Sequence, residues 1–234
     1  GGGEGGGADV PEGAEPESPF DLGLGSPDAA SRVLHRWDGI RALPGVQTVV
    51  HARQLHGATV RHHRDLPPGI LLAPPADGHL TTDAGVLLAV TVADCTPVFL
   101  LSEAPRAVGL LHAGWRGTAG GILEAGIRAF RERLGVEAEA LHLYLGPAIS
   151  GPRYEVGPEV HRALGLEDPG CPTPLDLGLV LEERARREGV LSHRIERSRS
   201  CTLEDPALFS HRGGDRGRQL ALLGIRLPDA GPTP

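Results

Sequence analysis

Short apolar runs alternate along this chain with breaks marked by glycine and proline, and a few stretches of helical periodicity separate them. Residues 46–50, 58–61, 86–92, 97–101, 107–111 and 141–145 are too short for buried helices, and most are rich in Val, Ile and Leu, so they predict strands. Further strands are predicted near 194–197 and after Gly217-Arg218-Gln219. The quick succession of runs between 86 and 111 implies local antiparallel pairing. Pro67-Pro68-Gly69 and Pro74-Pro75 bracket what reads as an irregular excursion.

Helical signals are equally local. Ser26-Pro27-Asp28 supplies a cap, a proline suited to the first helical position and an early acid, and Val33, Leu34 and Trp37 follow, predicting a helix that ends near Gly39. From Thr118, Ile122, Leu123, Ile127, Phe130 and Leu134 form one stripe opposite Arg128, Arg131 and Glu132, with Gly135 as the stop. Gly157-Pro158 starts a short helix through Leu164. Asp176 caps a longer one carrying Leu177, Val180, Leu181 and Ala185 as far as Gly189; its face from Glu182 to Glu188 reads as solvated and charge-paired.

Composition narrows what such a chain does. Residues 1–19 are glycine, glutamate, proline and alanine with almost no large apolar side chain, which predicts a flexible segment ahead of one domain spanning 20–234. A net charge of -7, with no long basic run, argues against nucleic acid as a partner. No apolar run is long enough to span a bilayer, so no membrane is expected either. Three scattered cysteines make no disulfide framework and fit a reducing cytoplasm.

The candidate chemistry lies where apolar runs end. Leu110-Leu111-His112-Ala113-Gly114-Trp115-Arg116-Gly117 passes from strand to histidine to glycine-flanked turn to helix. Asp94-Cys95-Thr96-Pro97 closes another run, and Gln54-Leu55-His56-Gly57 a third. Each offers a soft or basic ligand, and together they read as one metal-centred pocket. Singly, each has a plainer account: His56 as a backbone-bonded loop histidine, Cys95 as a small hydrophobe, Trp115 as a core anchor, Arg116 as half of an ion pair. Arg116 at a helix start equally suits an anion, although the lysine and glycine spacing of a nucleotide P-loop are missing. Arg212 and Arg218 flank a Gly-Gly turn, where they either converge on an anion or stand exposed. His62 and His63 read as solvated.

Gln54-Leu55-His56-Gly57, Ala93-Asp94-Cys95, the hexapeptide from His112 to Gly117, Gly146-Pro147-Ala148-Ile149 with Tyr154-Glu155-Val156-Gly157, and Cys201-Thr202 with Phe209-Ser210-His211-Arg212 and Gly217-Arg218-Gln219 resemble, in order, the YfiH family. That family is also called the laccase-domain or polyphenol oxidase family. The resemblance runs from about Phe20 to about Ile225. It implies an α+β fold, an α/β/β/α layered sandwich of mixed sheets in one domain, with His56, Cys95 and His112 as zinc ligands. It also implies phosphorolysis of adenosine, inosine and methylthioadenosine, with adenosine deamination as a second activity. Other activities attached to the family are a cysteine-dependent hydrolase editing peptidoglycan precursors and a copper polyphenol oxidase. The partners would then be a purine nucleoside and phosphate, and the chain a monomer or homodimer.

Two histidines and one cysteine leave a fourth zinc position open, the pattern of a catalytic site. Arg116, Arg212 and Arg218 are the available anion holders, and Asp94 is expected to orient a ligand or carry a proton. Copper chemistry fits less well, since no methionine is present as an axial ligand and His62-His63 is the only adjacent histidine pair. Two departures from the family pattern stand out: no arginine precedes Arg32, and Asp77-Gly78-His79-Leu80-Thr81 matches an acid-led motif only at its ends. Asp77 is therefore of weak interest, and His79 is a possible extra ligand.

Overall fold

A computed structural model of the chain describes residues 30–227, with side chains from His35 onward. The expectations for residues 1–19, for the Ser26-Pro27-Asp28 cap and for the side chains of Val33 and Leu34 lie outside the described residues.

Strand β5 (Val86–Val92) is apolar on both faces, and this sets the architecture. Val86, Leu88, Val90 and Val92 enter one apolar cluster, while Ala89 and half-buried Leu87 enter another. Such a strand belongs in a sheet covered on both sides. Its sheet has the order β12 (Gln219–Gly224), β5, β1 (Thr48–Ala52), β3 (Gly69–Ala73), parallel except for β12. Helix α1 (Ala30–Arg41) covers the outer face by seating Trp37 against Val49 and Ala89.

The second sheet has six strands in the order β11 (Ile195–Arg197), β8 (His142–Leu145), β6 (Thr96–Glu103), β7 (Arg106–Ala113), β4 (Gly78–Thr81), β2 (Val60–His63). Its centre is antiparallel and both edge pairs are parallel. Val108 and Leu110 of β7 meet the first sheet, while Leu111 and Ala113 face outward. Onto that outer face pack α3 (Ile122–Leu134) and α5 (Leu177–Arg187), with α2 (Trp115–Ala119) and α4 (Pro158–Ala163) beside them. A two-stranded ribbon, β9 (Glu155–Val156) with β10 (Thr173–Pro174), lies alongside. The layers run α/β/β/α with mixed sheets, as the resemblance implied.

Several local expectations change. The run from 46 and the run from 58 become β1 and β2, but they lie in different sheets, so the loop carrying His56 crosses from one sheet to the other. The proline-bracketed excursion contains β3, which pairs parallel with β1 along its whole length. As an edge strand it tolerates prolines at its ends. The helix expected from Thr118 is two helices, because Gly120 and left-handed Gly121 break it after one short turn. His63 is buried rather than solvated: alternation along β2 sends it between the sheets, where its Nε2 meets Nδ1 of His79 at 3.0 Å. That pairing also turns His79 away from the predicted ligands, so it adds none. On α5, Arg184 leaves the solvated face. It is only 17% exposed and donates to Glu124 and to the carbonyls of Thr118 and Leu164, binding α5 to the helices next to it.

Candidate metal centre

The three predicted ligands converge. The ligand atoms of His56, Cys95 and His112 all lie within 4.8 Å of one another, and the two imidazoles meet edge to face with centroids 4.8 Å apart. His56 comes from the loop between the sheets, Cys95 from the turn joining β5 to β6, and His112 from the end of β7. Gly114 lets them close up, since a Cβ there would stand 2.8 Å from Cys95 Sγ and 3.3 Å from His56 Cδ2. Two non-glycine residues here take left-handed backbone, His56 with φ 57° and Asp94 with φ 78°. Strain of that kind persists only where surrounding bonds enforce it.

Asp77 supplies those bonds for His56. Its carboxylate is 1% exposed and accepts four hydrogen bonds, from the N–H groups of Leu55 (3.0 Å), His56 (2.9 Å) and Gly57 (2.9 Å) and from His112 Nδ1 (2.9 Å). A carboxylate only accepts, so His112 carries its proton on Nδ1 and presents Nε2 to Cys95 and His56. One buried acid therefore positions two of the three ligands. Burial opposes its charge, but the hydrogen bonds from His112, Gly57 and Leu55 outweigh burial and hold the carboxyl below its usual range.

The same balance acts on its neighbours. Burial pushes the Cys95 thiol up, yet hydrogen bonds and positive charge from His112 and His56 bring it down to about 6. Burial pushes His112 down, yet Asp77 and Cys95 raise it to about 9. A thiolate and two imidazoles on one point form a donor set that fits zinc or copper.

The remaining predicted residues divide. Asp94 does not orient a ligand histidine: its Oδ1 accepts from Thr202 Oγ1 (2.6 Å) and its Oδ2 from the Arg212 N–H (2.7 Å), which ties the loop after Cys201 to the turn carrying Cys95. Arg212 extends toward the ribbon, donating to the Glu155 carbonyl (2.9 Å), its guanidinium 5.5 Å from the Tyr154 ring centre. Arg116 is exposed, stacked 4.3 Å over half-buried Trp115. Arg218 turns back on its own loop, donating to the carbonyls of Arg216 (3.0 Å) and Gly217 (2.7 Å). Sequence reasoning gave Asp77 little weight and assigned nothing to Tyr154. The available signal was a lone acid immediately before the short strand β4.

Two imidazoles and a thiol, brought together from a loop, a turn and a strand end of a two-sheet sandwich, form a group that could hold a metal ion through mixed nitrogen and sulfur donors. The chain belongs to the multi-copper polyphenol oxidoreductase laccase family, whose model matches residues 10–226. It is 34% identical over 226 residues to a protein of Xylella fastidiosa named purine nucleoside phosphorylase, covering 88% of this chain and 85% of that one. It is 36% identical over 182 residues to a Deinococcus radiodurans protein of the same name, covering 74% and 68%. The crystal structure of YlmD from Geobacillus stearothermophilus superposes with a TM-score of 0.82 at 31% identity, over 92% of this chain and 89% of that one. That of Bacillus licheniformis YfiH gives 0.83 at 25% identity, over 92% and 90%.

Proposed function

We propose that this chain is a zinc-dependent purine nucleoside phosphorylase acting on adenosine, inosine and methylthioadenosine, with adenosine deamination as a second activity. The observation that carries the reading is the convergence of His56, Cys95 and His112 on one cation-sized point, in a family whose relatives are named for purine phosphorolysis. Zinc held by these three residues would supply a Lewis acid and, for deamination, an activated water.

The residues divide the remaining work. Arg116 and Arg212 offer guanidinium forks suited to phosphate. Phosphate attacks C1′ of the ribose, the C1′–N9 bond breaks with its electron pair going to the purine, and the proton that hydrogen phosphate gives up neutralises the base. Asp77 keeps His112 in the tautomer that leaves Nε2 available, and Gly114 keeps the cluster compact. Cytoplasmic residence suits Cys95, Cys171 and Cys201, all free thiols. No helix among the described residues is long and apolar enough to cross a membrane.

One observation favours a second reading. Cys95, His112 and Asp77 stand in line as thiol, base and buried acid, the order of a cysteine-hydrolase triad. A hydrolase editing peptidoglycan precursors would use that line without metal. Incubating the purified protein with inosine, with and without phosphate, separates the two. Phosphate-dependent release of hypoxanthine, abolished by chelation and by Cys95→Ala, supports the phosphorylase. Absence of release from zinc-loaded protein, with a thiol-dependent hydrolysis that survives chelation, supports the triad.

A further inference from the structure

The described residues beside the metal centre include one polar side chain that neither reading uses. Tyr154 is half-buried at the end of the 146–154 loop, packed against the same apolar cluster as Trp115. Its backbone is fixed at both ends, the N–H donating to Gly151 O (3.1 Å) and the carbonyl accepting from Leu175 N (2.9 Å). The Arg212 guanidinium lies 5.5 Å from the ring centre, and Arg212 is itself bound through its N–H to Asp94, next to Cys95. Tyr154 and Arg212 thus form one wall beside the Cys95 turn.

The hydroxyl makes no hydrogen bond to any described residue and is open to solvent, so a ligand can take it as a donor. Burial first, then the negative charge of Cys95 and Asp94, push its pKa to about 12, so it remains a neutral donor across the working range. A guanidinium and an open hydroxyl donor side by side suit the two ends of the bond that phosphorolysis breaks.

We propose that the Tyr154 hydroxyl contacts the purine base, donating a hydrogen bond to N7 as the C1′–N9 bond breaks. The inference rests on the phosphorylase reading above. N7 shares its five-membered ring with N9 and gains negative charge as the bonding pair arrives, so a donor placed there strengthens in the transition state. Tyr154 transfers no proton, because hydrogen phosphate supplies the one the free base needs.

The test compares wild type with Tyr154→Phe on inosine and on 7-methylinosine, whose N7 carries a methyl group and accepts no hydrogen bond. The expected result is a fall in kcat on inosine of about tenfold to a hundredfold, with the KM for phosphate, the metal content and the unfolding temperature unchanged. On 7-methylinosine the two proteins should differ by less than about threefold. Equal activity on inosine overturns the proposal and leaves the phosphorylase reading intact. So does an equal loss on both substrates, or a loss accompanied by lower metal content or a lower unfolding temperature, which would make Tyr154 a packing residue. A wild type inert toward both nucleosides in the presence of phosphate overturns the proposal together with the reading beneath it.

Discussion

Two regions of this molecule hold buried histidines on which burial acts in the same direction with opposite results. At the metal centre His112 is raised to about 9, whereas between the sheets His63 and His79 fall to about 4 and about 3. Desolvation is the largest influence in each case and always disfavours the charged ring. The partners make the difference. His112 faces the Asp77 carboxylate and the Cys95 thiolate, which together overcome desolvation. His79 faces the His63 ring, with the positive influence of His63, His51 and Arg61 outweighing that of Asp77, and its own Nε2 is buried without a hydrogen-bond partner. A buried histidine becomes a site for chemistry where an anion is buried with it. Without one it is a polar cost to the core.

The largest effect that would break this comparison is loss of the anion itself. Cys95→Ala should abolish metal binding and turnover together while leaving the fold intact, checked by metal analysis and circular dichroism. Asp77→Asn comes next. Asparagine presents one acceptor oxygen where the carboxylate serves four donors, so metal affinity or activity should fall by about 10–100-fold, measured by competition with a chelator. Unfolding temperature should drop in the same variant, because N–H groups at 55–57 lose acceptors.

The intersheet pair predicts a pH effect of definite sign. His63 and His79 stay neutral in the fold down to about 4 and about 3, while unfolded histidine titrates near 6.5. Between those values the unfolded chain binds more protons, so their contribution to stability is complete above about pH 6.5 and is lost as pH falls toward 4. Thermal unfolding followed from pH 7.5 to 4.5 should show this decline. The smallest effect belongs to the double variant His63→Leu with His79→Leu, which removes both partners at once. It should change stability little at pH 7.5, flatten the acid decline and leave metal content alone. An acid decline as steep as wild type would mean that other groups cause it.

Much of the site was legible in the sequence because its ligands end apolar runs. His56, Cys95 and His112 each stop a strand or follow one, and a hexapeptide with two glycines announces a close approach. Asp77 was harder to read because its partners lie 20 to 35 residues away and only the sheet order brings them together. His62 and His63 look alike as a doublet, yet alternation sends one toward α3, where Arg133 acts on it, and the other between the sheets. Arg184 sits within a run of charges that pair four residues apart, as Arg187 does with Glu183, and nothing in that run marks it as the inward one. In the fold, β3 was concealed by the prolines at its ends, and the Gly120-Gly121 break by the apolar stripe that continues across it.

On this reading His56, Cys95 and His112, and not the buried intersheet histidines, hold a metal. The most direct measurement is the metal content per chain, by mass spectrometry, of wild type, Cys95→Ala and the His63→Leu, His79→Leu variant purified side by side. One metal per chain is expected in wild type and in the double histidine variant, and none in Cys95→Ala. Metal retained at full stoichiometry by Cys95→Ala, or lost with His63 and His79, would contradict that reading.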